Sequence, residues 1–342
     1  MRTVMKLPSL IAACALFALA SSEPWSGNMA AAGDKGLEAQ KLLQQAEDLT
    51  DIRSSGSRSF HLAARVYMYE GKDLAADGTY DLFWASPTAW REEIKFAHFS
   101  QVRVAIGDKL SISRNPPILP LEIFRLHELL DFPNVLHPNL AVKPGKVKER
   151  TRNGSRERTI EVGSRIVILD GSSPIPIRVE FKSFHFEYQF KDYVSFDGRQ
   201  FPRTLAEFIL NRPLVQVQVQ KLEQAAFDAS FFIPPKDATV LRWCPHPEPA
   251  KLEDLGALSL LPSQLRDAAH QHVAAIYGII GIDGRWHDLA VVKSAGKEVD
   301  SYWMDQMLQQ RYTPAKCAGV PVEQESVKEH HYEWLGQFIV PN

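Results

Sequence analysis

The 342-residue chain has no phosphate loop, no dinucleotide fingerprint and no nucleophile elbow, which removes the familiar enzyme signatures at the outset. It has no excess of basic charge either. With a net charge of -2 and lysines and arginines spread along the chain, there is no electrostatic footprint for nucleic acid. Acidic residues are plentiful, yet no pair stands out for acid/base work. His270 and His272 share one side of an expected strand and His330 and His331 are adjacent, but neither pair has further ligands at metal-site spacing. No catalytic residue, metal or cofactor is expected. What remains is a binding protein whose partners are protein or lipid.

Long apolar runs are also missing. The one near the start, Leu7 to Ala20, is too short to span a bilayer comfortably, follows Arg2 and Lys6, and ends in Ala18-Leu19-Ala20. The pattern predicts a signal peptide over 1–20, cleaved after Ala20, and a flexible linker over 21–35. Ile11-Ala12-Ala13-Cys14 resembles a lipobox, although Cys14 lies inside the apolar run and not at its end. Cysteine is scarce, with three in the chain, so Cys244 and Cys317 alone survive cleavage. In an oxidising compartment they are expected to form a disulfide, the alternative being two separate thiols.

What is present fits two domains, given the length and ordinary globular proportions of 45% hydrophobic and 23% charged residues. Leu37 to Glu47 has helical spacing. From Ser59 to Val240 the pattern turns to strands, among them Phe60–Tyr69, Gly78–Trp84, Trp90–Phe96, Ser164–Leu169, Ile177–Phe190, Leu205–Leu210 and Val215–Leu222, separated by Asp-Gly, Gly-Ser and Pro turn signals. Arg242-Trp243-Cys244-Pro245-His246-Pro247-Glu248-Pro249 then favours an extended connector. The expected units are a β-domain over 36–241, a Pro-rich connector over 242–260 and a second domain over 261–342.

Within the β-domain, "DGTYDLFWASPTAWREEIKF", "PIRVEF", "DGRQFPRTLAEF" and "FDASFFIPPKDATV" together resemble the LolA family of lipoprotein carriers. The resemblance implies an antiparallel β half-barrel closed by a few helices around an apolar cavity. Phe83, Trp84 and Trp90 would line that cavity, and Arg91 stands where the family places an arginine that closes it, with a solvated strand charge as the alternative role. Pro116-Pro117-Ile118-Leu119-Pro120 followed by Leu121 to Leu130 would supply the covering helix. The same aromatics would equally fill a solid core.

In the second domain, Val273 to Ile282 reads as a strand, Asp283-Gly284 as a hairpin turn, Trp286 to Lys293 as the returning strand, and Val299, Tyr302, Trp303, Met307 and Leu308 as one side of a helix. "IDGRWHDLAVVKSAG", "VDSYWMDQMLQQRYTP" and "CAGVPVEQ" in this order resemble the C-terminal domain of TonB, with Asp300, Tyr312, Pro314, Gly319, Pro321 and Val322 fitting and Ser294-Ala295-Gly296 departing by one residue. The implied fold is β-β-α-β, giving an α+β chain. The implied role is docking on an envelope protein, such as an outer-membrane receptor peptide, by strand addition at His330, His331, Tyr332, Glu333 and Trp334. Sequence reasoning favours this non-enzymatic periplasmic docking role. The alternative is a periplasmic carrier holding a lipid or acyl chain in the half-barrel.

Overall fold

The computed structural model describes residues 29–54, 56–131, 144–152, 154–182, 186–245, 247–254 and 273–331. The signal peptide, Cys14, His270, His272 and the segment from Tyr332 through Glu333 and Trp334 therefore lie outside the described residues. Helix α1 (Met29–Thr50) begins inside the segment expected to be a linker. Met29 and Ala30 to Ala32 are strong helix formers, and they outweigh Gly33 and Gly36.

The β-domain strands are β1 (Phe60–Glu70), β2 (Asp73–Ser86), β3 (Ala89–Phe96), β4 (Phe99–Ile106), β5 (Lys109–Asn115), β6 (Lys148–Arg152), β7 (Ser155–Val162), β8 (Arg165–Asp170), β9 (Pro176–Phe181), β10 (Phe186–Phe196), β11 (Arg199–Ile209), β12 (Arg212–Gln224) and β13 (Thr239–Arg242). They form one open antiparallel sheet in the order β13-β5-β4-β3-β2-β1-β12-β11-β10-β9-β8-β7-β6, whose outer strands do not pair with each other. The alternation of side chains along each strand creates the two faces. Phe60, Leu62, Ala64, Val66 and Met68 of β1 are buried at every second position. On β2 and β3 the register sets Tyr80 opposite Ile94, Leu82 opposite Glu92 and Trp84 opposite Trp90 on that inner face. Gly78 lets the two strands approach, since a Cβ there would fall 2.4 Å from the Lys95 carbonyl oxygen.

Helix α2 (Leu121–Leu130) covers the inner face as expected, starting immediately after Pro120 and burying Leu121, Ile123, Leu126, Leu129 and Leu130. It touches β11 and β12 on one side. Its other side meets the C-terminal unit.

That unit contains β14 (Lys251–Asp254), β15 (Val273–Ile280), β16 (Trp286–Lys293), helix α3 (Lys297–Gln309), β17 (Arg311–Thr313), β18 (Ala315–Cys317), β19 (Val320–Val322) and β20 (Gln324–His331). The expected β-β-α-β order is present, as a three-stranded sheet ordered β16-β15-β20. Its hairpin is wider than a bare Asp-Gly turn: β15 stops at Ile280, the Gly284 N–H donates to the Gly281 carbonyl at 2.9 Å, and Gly284 takes φ +74°. No larger residue fits at Gly284, where a Cβ would lie 1.9 Å from the Tyr312 carbonyl oxygen. Asp300 binds the Ala295 N–H at 2.9 Å and the Ser294 hydroxyl at 2.5 Å, which explains why Ser294-Ala295-Gly296 and Asp300 occur together at a helix start. Leu308, placed by spacing on the packed side of α3, is instead 54% exposed at the helix end.

Both faces of the small sheet are covered. Ala274, Ile276 and Ile280 pack with Val299, Trp303 and Met307 of α3. Ala275, Tyr277 and Val327 join the main core of the β-domain. Nor is the connector a free spacer, because β14 pairs with β17, Glu248 bridges to Lys316, and Cys244 is disulfide-bonded to Cys317 with Cα atoms 5.7 Å apart.

Candidate functional site

The inner face of β2 and β3, helix α2 and the connector enclose a cavity of about 380 Å³. Tyr80, Leu82, Trp84 and Trp90 form its sheet wall, Phe124, His127, Glu128 and Leu130 its helix wall, and Trp243, Cys244, Pro245 and Pro247 its third side. Trp90 meets Trp243 edge-on with ring centres 5.0 Å apart, and the Arg103 guanidinium lies 5.4 Å from the Trp90 ring centre. The Trp243 indole donates to the Pro87 carbonyl at 2.8 Å, which holds the connector down.

The cavity floor is polar at one point. Glu92 accepts from the Tyr80 hydroxyl at 3.2 Å and Arg103 at 3.3 Å, and lies 3.1 Å from His127 Nε2. Burial by itself would raise this carboxyl, but His127 and Arg103 facing it hold it down at about 2. Tyr80, buried beside that negative charge, is pushed well above the ordinary tyrosine range. A carboxylate so firmly ionised and a phenol so firmly protonated do not exchange protons near neutrality. The group anchors the wall. At the rim Arg53 pairs with Asp131 at 3.1 Å, so the charges around the opening also neutralise one another.

Of the residues expected to line a cavity, Trp84 and Trp90 do so. Phe83 and Arg91 are a correction. They stand opposite each other on the outer face, because each is one residue away from an inward tryptophan. Phe83 stacks on His61 at 4.3 Å and packs against Phe231 at 4.7 Å, while Arg91 binds Glu93 at 2.8 Å and the Ile233 carbonyl at 3.3 Å. Arg91 therefore closes nothing over the cavity. Glu92, Arg103, His127 and Trp243 were not anticipated. Glu92 had a signal, since it lies two residues from Trp90 and so shares its face, whereas Trp243 lies in a segment whose prolines mark an extended connector.

Of the residues expected to meet a partner, His330 stacks on Trp303 with ring centres 3.7 Å apart and His331 stands in register with Val273. The face of β20 turned toward the large sheet is committed differently. Glu325 takes both ends of the Arg114 guanidinium at 3.1 Å each and the Tyr277 hydroxyl at 2.7 Å, and Glu329 takes Arg125 Nε at 3.0 Å. Among the described residues no cluster of three or more His, Cys, Asp or Glu side chains is arranged to hold a metal, and no helix is long and apolar enough to cross a membrane.

No protein-family model and no curated protein matches the chain. Among solved structures, it resembles a LolA superfamily protein from Nitrosomonas europaea (11% identity, 57% of this chain and 97% of the other, TM-score 0.38). A DUF1329 family protein from Desulfovibrio piger is similar at 8% identity over 58% of this chain and 97% of the other, with TM-score 0.41. The MucA/MucB complex structure from Pseudomonas aeruginosa is similar at 11% identity over 86% of this chain and 99% of the other, with TM-score 0.26. At such identities and scores the functional argument rests on the cavity itself.

Proposed function

We propose that the protein is a non-catalytic periplasmic carrier that holds an amphiphilic ligand, a lipid or the acyl chains of a lipoprotein, with its apolar part in the cavity beneath α2. The observation that carries this reading is the cavity wall: Trp84, Trp90 and Trp243 converge on a space of about 380 Å³, within the usual range of small-molecule sites, roughly 300 to 1,000 Å³. Charges at its floor and rim are already paired, which favours an apolar occupant over an ionic one.

Native mass spectrometry of the full chain purified from a periplasmic fraction tests the reading. A retained lipid mass is expected, and Trp90→Ala should weaken ligand retention at least about tenfold through lost aromatic contact. A bare polypeptide mass in every preparation, together with no uptake of added lipid, would overturn it.

A second reading has one observation in its favour. β20 is an outer strand of the small sheet, pairing only with β15 among the described strands, so its far edge suits strand addition by an extended envelope peptide. Calorimetric titration of the full chain with periplasmic segments of outer-membrane receptors should then show saturable binding. No heat with any segment would leave β20 as a structural cap.

A further inference from the structure

We infer that the small C-terminal sheet is a proton-sensitive latch on α2: Arg125 ties that helix to Glu329 of β20, and loss of protons from the carboxylates crowded around the arginine loosens the tie and frees the cavity wall. The gating half of this inference rests on the carrier reading. The latch itself rests on the interface alone.

The same helix performs both tasks. Phe124, His127, Glu128 and Leu130 of α2 wall the cavity, while Arg125 binds Glu329. Arg125 also lies 3.9 Å from Glu207 of β11, deep in the inner face, and its guanidinium stands 5.8 Å from the Phe186 ring centre of β10. A second tie runs alongside, from Glu325 through Arg114 to Gln101 at 2.7 Å, and on to His127 at 3.2 Å. The small sheet thus reaches the cavity lining through two chains of side chains.

The two ties differ in what surrounds them. Glu325 is burdened by burial, but Arg114 and Tyr277 hold its carboxyl below the ordinary range. Arg125 faces several carboxylates: Glu122 and Glu128 from α2, Glu207 from β11 and Glu329 from β20. The other charged or titratable groups facing this cluster are Arg165 of β8 and Tyr188 of β10. Glu207, raised by burial and then by Glu128 and Glu329, titrates at about 8. Glu128 is exposed on α2 where it lines the cavity, and Glu329 facing it pushes its carboxyl in the same upward direction.

The sign follows from linkage. Glu329 of β20 is one of the groups that raise Glu207 to about 8, so moving β20 away lowers that carboxyl; just below this value the latched state holds a proton that the separated state releases more readily, and latching weakens as pH rises. Glu325, held low, works the other way and loses its contribution as pH falls below 4.5. The latch is tightest on the acid side of about 8 and above the range in which Glu325 takes up its proton.

Hydrogen exchange of the full chain at pH 6 and pH 9, corrected for the intrinsic pH dependence of exchange, tests the latch. Protection of residues 121–130 and of β20 should fall by roughly tenfold or more at pH 9 relative to β1, which serves as the folding control. Gln at both positions, Glu128→Gln with Glu207→Gln, should hold protection level across pH. Glu329→Gln should lower it at both. An unchanged wild type, the same loss in the double variant, or full protection in Glu329→Gln at pH 6 would each overturn the latch. If the double variant loses β1 protection, Glu128→Gln alone, at the water-facing position, decides by the same criterion with a smaller expected loss. In the same samples N-phenyl-1-naphthylamine should enter the cavity several-fold faster at pH 9. No probe binding at either pH would reject the carrier reading and its gate, while exchange still judges the latch.

Discussion

Helix α2 meets two buried glutamates of the large sheet, and their carboxyls are shifted in opposite directions. Glu92, near His127, is held at about 2, and Glu207, near Arg125, is pushed to about 8. Both are buried to a similar degree, at 6% and 2% exposure, so burial does not separate them. The difference is the supply of donors. Glu92 is met by Tyr80, Arg103, Gln101 and His127. Glu207 has one arginine at 3.9 Å, shared with Glu329, and its second oxygen meets no donor among the described residues. A buried carboxylate is stable as an ion only where the protein replaces the water it has lost.

The contrast breaks most sharply if a cation is taken from Glu92. Arg103→Ala leaves an ionised carboxylate at the cavity floor with too few donors, and should cost about 3 kcal/mol in urea unfolding. It should also move the carboxyl of Glu92 upward, toward the behaviour of Glu207. A loss below about 0.5 kcal/mol would mean that Arg103 is only a surface charge.

Next in size is the disulfide, which ties the connector beside the cavity to β18. Replacing Cys244 and Cys317 by Ser opens a cross-link over a separation of 73 residues, and a loss of about 2 to 4 kcal/mol is expected. Water should then reach Glu92 more easily than Glu207, and tryptophan fluorescence from Trp90 and Trp243 should shift to the red. An unchanged spectrum would show that the connector stays closed without its tether. A smaller effect belongs to Glu92→Gln, which exchanges charge-assisted hydrogen bonds for neutral ones and should cost about 2 kcal/mol at pH 7. The cost should shrink as pH falls from 4.5 toward 2, because the native contribution of Glu92 is lost over that interval.

The sequence carried the strands and the covering helix because alternation and a Pro-bounded apolar run are local signals. Phe60 to Tyr69 and Leu121 to Leu130 are each readable within one segment. Which face a residue takes was legible too, but only once one inward residue was known: Trp90 inward places Arg91 outward and Glu92 inward. The clusters around α2 were not legible. Arg125 and Glu329 are 204 residues apart, and nothing local to either marks the other. Trp243 escaped for a related reason, since prolines around it describe an extended backbone and say nothing of what that backbone covers. Leu210, at positive φ in the turn beside Asn211, likewise runs against the usual preference of that conformation for Gly and Asn.

The smallest change sharpens the comparison instead of breaking it. Below pH 4.5 Glu207 is protonated in both folded and unfolded chains, and above about 8 it is ionised in both. Between those limits the folded chain holds a proton that the unfolded chain has released, so this residue's contribution to stability is lost as pH rises through the window. Gln has the shape of the protonated acid and no proton to lose. Glu207→Gln should therefore lie within about 1 kcal/mol of the wild type at pH 5, gain on it steadily up to about pH 8, and run parallel above that. Urea unfolding at half-unit pH steps measures the difference. Parallel curves across the whole range would mean that Glu207 titrates like an ordinary carboxylate, and the contrast with Glu92 would then reduce to the donors around Glu92 alone.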